Sequence, residues 1–167
     1  MVGSRVVLAA ALVSACTVQD GGPVIAAAAA PVIVPAPAPG PTIAELVQAR
    51  QAGMHTAATL NAKGIGPRAK GEGDLRDTPW SDGIEMWAAA IPGLFPPGSA
   101  HPQSRAKPEI WADKADFDAK ARELGEAAHA VTVAGQAGDL KAYAAAAQRL
   151  NTACSACHMA YRGPPLP

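Results

Sequence analysis

Close to the C-terminus of this 167-residue chain runs Cys154-Ser155-Ala156-Cys157-His158, the stretch whose residue types and spacing carry the most chemistry. Residues at i, i+3 and i+4 of an α-helix share one face, so both thiols and the imidazole would meet a single object. Thiols at that spacing add across the two vinyl groups of a porphyrin, and the next imidazole takes an axial site on its iron; C-x-x-C-H is the attachment signal for c-type haem. Other chemistries compete for a C-x-x-C pair. Zinc needs four ligands, and the chain has neither a second Cys pair nor a His-x₃₋₅-His. A thioredoxin-like redox pair expects a preceding strand, whereas Ala- and Leu-rich helix formers precede Cys154. The expected cofactor is therefore one covalently held haem c, with a disulfide or a chance match as the remaining alternatives.

The elements that must position this run read as four helices after Pro41. Thr42 with Glu45 three residues on fits a capping box for the first, whose stripe is Ile43, Val47, Arg50, Met54 and Ala57 and which should end by Gly64. The loop 64–71 is glycine-rich but lacks the lysine and hydroxyl of a phosphate loop. Thr78-Pro79 reads as cap and first position of the second helix, with Trp80, Ile84, Trp87 and Ile91 on one face and Pro92 as its stop. After a Pro-rich loop, Ile110, Lys114, Phe117, Ala121, Leu124, Ala128 and Val131 keep a four-three repeat, with Gly135 expected to close the third helix. The fourth starts at Asp139 as N-cap and carries Tyr143, Ala147, Leu150, Cys154, Cys157, His158 and Tyr161 on one stripe, ending at Gly163. Four amphipathic helices bury such stripes most simply as an all-α, antiparallel four-helix bundle over residues 42–163, with the haem between helices. The wealth of alanine and an aromatic content of 4% agree with packed helices.

Before the bundle lie two other kinds of sequence. Arg5 followed by the apolar run 6–15 reads as an export signal, too short for a permanent span. It ends in Leu12-Val13-Ser14-Ala15-Cys16, similar to a bacterial lipobox in which Cys16 becomes the lipidated N-terminus; the alternative is an ordinary cleaved leader. Cys16 is also the thiol left over once haem takes the other two. Residues 16–41, rich in Pro and Ala, bury no core; in extended form the uncharged part spans on the order of 60 Å, a tether or else a dispensable low-complexity tail. The expected location is exported and periplasmic, with a membrane contact through Cys16. Net charge is zero, and removing Arg5 leaves 13 basic against 14 acidic side chains, so no nucleic-acid footprint exists.

Taken together, 42–162 resembles the class II c-type cytochromes, cytochrome c prime and its low-spin relatives. The matching residues are Arg50-Gln51-Ala52-Gly53-Met54, Lys107-Pro108-Glu109-Ile110-Trp111, and Cys154 to His158 followed by Tyr161-Arg162. The resemblance implies that Met54, where high-spin members carry an apolar residue, is the second axial ligand with His158, and that Arg50 pairs with a haem propionate. Core filling is the other reading of Met54 and a solvated helix arginine the other reading of Arg50. Independently, His/Met ligation is an electron-transfer pairing. His55, about 100° from Met54 on the helix, His101 in the loop and His129 on the third helix read as surface groups. Lys63, Arg68, Lys70 and Arg76 are a basic cluster diluted by Glu72, Asp74 and Asp77. The functional expectation is a non-enzymatic one-electron carrier, monomer or homodimer, exchanging electrons with redox partner proteins; the alternative is a five-coordinate NO- and CO-binding protein.

Overall fold

The computed structural model describes residues 40–166. The expected leader, Cys16 and all of the linker but Gly40 and Pro41 lie outside the described residues. The bundle is built from α1 (Ile43–Thr59), α2 (Pro79–Ala90), α3 (Lys114–Ala137) and α4 (Leu140–Tyr161), and among the described residues the only β pairing is an isolated bridge.

The capping box forms as the sequence indicates: the Glu45 N–H donates to Thr42 Oγ1, and the Thr42 N–H donates back to Glu45 Oε2 at 2.7 Å. α1 does not end by Gly64. It widens into a π turn over Leu60–Ile65 and continues as a last α turn through Arg68. Two physical reasons override the glycine signal. Gly64 is buried under Trp80, where a Cβ would stand 2.2 Å from the indole. The wider i→i+5 turn also gives the Pro67 ring room against the carbonyls behind it, which a regular α turn would not.

Pro79 occupies the first turn of α2, but Thr78 is no side-chain cap. Its backbone is already helical and its hydroxyl instead donates to Asp82 Oδ2 at 2.9 Å. Pro92 closes α2 by converting it to a 3₁₀ turn over Ile91–Leu94. The third stripe is interrupted too: Glu109–Ala112 is a separate short turn, and Asp113 leaves helical geometry at φ −129° so that its carboxylate can cap α3 through the Asp116 N–H. At the other end α3 runs past Gly135 to a left-handed Gly138, φ 68°. Gly135 has a different purpose: it admits the Leu75 carbonyl, which would lie 2.4 Å from a Cβ there. Asp139 caps α4 through the Ala142 N–H at 2.9 Å, as expected.

The stripes of α3 and α4 are largely buried as read, whereas Ile43, in the first turn of α1, is 41% exposed. Ile110, Phe117, Ala121, Leu124, Ala128 and Val131 are in the core, as are Tyr143, Ala147, Leu150 and Tyr161. α3 packs most extensively on α4 and next on α2, while α1 is held chiefly through α2 and the turns that continue both helices. Gly53 and Gly64 receive the rings of Trp87 and Trp80, which lets α1 approach α2 closely. An edge-on aromatic stack, Phe95 to Phe117 at 4.9 Å and Phe117 to Tyr161 at 5.2 Å, fills the end of the bundle where α4 finishes.

Candidate functional site

At that end the bundle leaves a cavity of about 350 Å³. α1 contributes Arg50 and Met54 to its wall, α4 contributes Cys157, His158 and Tyr161, and Phe95, Ile110 and Phe117 form an apolar floor. Sequence positions more than one hundred residues apart thus meet here because their stripes face one bundle interior. Cys154, one turn before Cys157, is half-buried against the same core. Both thiols are free. Burial pushes each thiol above its ordinary pKa, Cys157 receiving a further push from Cys154.

His158 is half-buried. Desolvation first, then the charges of Arg162 and Arg105, hold its pKa below the ordinary histidine value. The neutral imidazole so favoured is the form with a lone pair for a metal. Tyr161 donates its hydroxyl hydrogen to Asp116 Oδ2 on α3, and this bond raises the phenol pKa.

Arg50 reaches the cavity but is not idle there. It is 4% exposed, donates from Nε to Leu94 O at 2.7 Å and from Nη1 to Ser99 O at 3.0 Å, and binds the Ser99 hydroxyl through Nη2. Its guanidinium also lies 4.2 Å over the Phe95 ring. Three of its five N–H groups are therefore committed to the 94–99 loop, leaving two for any ligand of the cavity. Burial lowers its pKa from the ordinary value without removing its charge.

The remaining histidines stand apart: His55 is exposed, His101 Nδ1 accepts from the Gln103 N–H at 3.2 Å, and His129 lies 3.3 Å from Glu85. In the first loop Arg68 pairs with Asp77 and stacks over Trp80, so that cluster is partly neutralised. Sequence reading missed Arg105 as a wall residue. Its position depends on the bridge between Ala106 and Arg162, for which no local pattern exists.

A flat apolar macrocycle held at one edge by two thiols fits this arrangement. The cavity walls are predominantly apolar, Cys157 and His158 open on it, and the imidazole forms no hydrogen bond with another described residue. A family model described as Cytochrome C' matches residues 45–162, most of the chain and all of the bundle but the first two residues of α1. The chain belongs to the cytochrome c′ family. It is accordingly a haem protein of c type, and its four-helix bundle is the fold of its solved relatives. A cytochrome c-556 from Agrobacterium tumefaciens (strain II Chrys) is 44% identical over 79 residues, 47% of this chain and 63% of that protein. A cytochrome c' from Alcaligenes xylosoxydans xylosoxydans is 38% identical over 76 residues, 46% of this chain and 54% of that one. The matched region thus spans less than two thirds of either relative. Among solved structures, cytochrome c' from Thermochromatium tepidum aligns with a TM-score of 0.67 at 29% identity, covering 74% of this chain and 98% of that one. A nitric oxide complex of a mutant cytochrome c prime from Alcaligenes xylosoxidans aligns with a TM-score of 0.67 at 27% identity, covering 74% and 98%.

Proposed function

We propose that this cytochrome is a one-electron carrier with low-spin His/Met ligation, taking an electron from one redox protein and delivering it to another without transforming a substrate. The observation that carries the reading is that Met54 of α1 and His158 of α4 line one cavity. When bound, haem c supplies a reversible ferric/ferrous couple. Cys154 and Cys157 are the attachment thiols and fix the group to α4. His158, whose imidazole burial favours in the neutral form, and Met54 would hold the iron, and the soft thioether sulfur would favour the reduced state over a second imidazole. The Tyr161 to Asp116 bond ties the end of α4 to α3 and so steadies the helix that carries three of the five proposed haem-binding residues. Arg50 orders the 94–99 loop over the cavity and offers its two free N–H groups to a propionate.

The protein acts outside the cytoplasm in this reading, lipid-anchored at Cys16 on the 16–41 tether, as a monomer or homodimer. A second reading, an NO- and CO-binding protein with an open sixth site, draws its support from the structural relative solved as a nitric oxide complex. The two separate on one comparison. The wild type should be low-spin when ferric and ferrous and bind CO poorly, and Met54→Leu should become high-spin, take up CO and fall in potential. A wild type that binds CO readily, with spectra unchanged by Met54→Leu, establishes the gas-binding reading instead.

A further inference from the structure

Residues 105–107 and the end of α4 are remote in sequence, yet Ala106 pairs antiparallel with Arg162, the Lys107 N–H donates to Tyr161 O at 3.0 Å, and the Gly163 N–H donates to Arg105 O at 2.7 Å. This bridge gathers Arg105, Lys107 and Arg162 at one end of the bundle. Arg105 donates to the carbonyls of Gly163 and Pro164, and Lys107 Nζ to those of Met159 and Ala160. Those acceptors are neutral, and among the described residues none of the three cations forms an ion pair. The whole chain is neutral, which makes this positive potential local.

A surface cleft of about 380 Å³ opens here, walled by Arg105, Ser155, His158, Met159 and Arg162 among others. His158, Arg105 and Arg162 also wall the inner cavity, so the imidazole is shared between inside and outside. Met159 stands beside it 75% exposed. Cations at a helix C-terminus complement its dipole, which is reason enough for Lys107. That accounts neither for an exposed thioether nor for Arg162, which is exposed and whose guanidinium forms no hydrogen bond among the described residues.

We propose that this face docks an acidic redox protein, one whose carboxylates ring an apolar centre, with Met159 as the apolar contact and Arg105, Lys107 and Arg162 as the charged rim. The inference rests on the electron-carrier reading and names the partner class for the same site. In this exchange one electron would pass from the reduced partner, itself oxidised, to the haem that Cys154, Cys157 and His158 would hold; no proton or atom moves, and His158 walls both cleft and cavity.

Two readouts on the full haem-loaded protein test it. In NMR spectra of the ferrous form, polyglutamate should shift amide signals of residues 105–107 and 155–163 at low salt, and Arg162→Gln should weaken those shifts while Lys63→Gln leaves them unchanged. In stopped flow, oxidation of the ferrous protein by anionic hexacyanoferrate(III) should slow about tenfold between 10 and 200 mM salt, and Arg162→Gln should slow it about fivefold at 10 mM. Shifts confined to another surface, or a rate indifferent to salt in a low-spin protein, overturn the docking site and leave the carrier reading standing. Shifts produced by phosphatidylglycerol vesicles but not by polyglutamate overturn it in favour of a membrane contact. A high-spin, CO-binding wild type overturns both.

Discussion

Two glycines of α3, ten residues apart, should respond oppositely to the same substitution. Gly125 faces the Ala88 methyl, and a Cβ built on it would lie 3.5 Å away, an ordinary contact. Gly125→Ala therefore keeps the packing and gains the helix preference of alanine over glycine, about 1 kcal/mol or somewhat less. At Gly135 the same methyl would meet Leu75 O at 2.4 Å and a Tyr143 ring carbon at 3.3 Å. The carbonyl belongs to backbone and must retreat by about 1 Å to reach contact distance, so overpacking of about 1–3 kcal/mol outweighs the propensity gain. The two variants should differ by roughly 2 kcal/mol, or on the order of 8 °C in midpoint for a domain of this size. Thermal and urea unfolding followed by circular dichroism at 222 nm measures this. Both variants should keep the wild-type haem spectrum, since Gly135 is about 27 Å along α3 from Phe117. Equal stability of the two variants would show that the close approach of Leu75 does not constrain α3.

Three further outcomes follow from the site. Cys154→Ala with Cys157→Ala should yield a polypeptide with no covalent haem and no peroxidase stain on denaturing gels; a haem-equipped wild type with the bare polypeptide mass would refute attachment. Tyr161→Phe should cost about 1 kcal/mol, because Asp116 is exposed and water replaces the lost donor. The Tyr161 pKa is raised on folding, so its contribution is complete below the unfolded value near 10 and lost as pH rises through the folded one; alkaline unfolding midpoints should converge for wild type and variant, and a constant gap up to the highest pH would contradict this. Cys16→Ser should release the full-length protein from membranes, and an unmodified mature N-terminus beyond Cys16 would remove the lipid tether while leaving the cytochrome intact.

The stripes of α3 and α4 were legible because their four-three repeats persist whatever the helix ends do. Ile110 and Phe117 keep register across Asp113, which is why the break there was invisible: one residue leaves helical geometry while both flanking turns still bury the same face. Gly135 and Gly138 look alike in sequence, and only the Leu75 carbonyl against one and the positive φ of the other separate their roles. The attachment run and Met54 could be read from residue types, since their chemistry is local. The partners of Arg50 in the 94–99 loop and the placing of Arg105 could not, because both depend on where an irregular, proline-rich loop lies against helices far away in sequence.

Methionine ligation is open to direct observation in the ferrous, diamagnetic protein labelled with ¹³C at the methionine methyls, of which the chain has four. If Met54 binds iron, its methyl sits over the porphyrin face and its resonance is displaced far upfield by the ring current, clear of all others; it should disappear in Met54→Leu. Methyl signals that all fall in the ordinary methionine range, in a protein whose haem is intact, would contradict His158/Met54 ligation and with it the low-spin electron carrier.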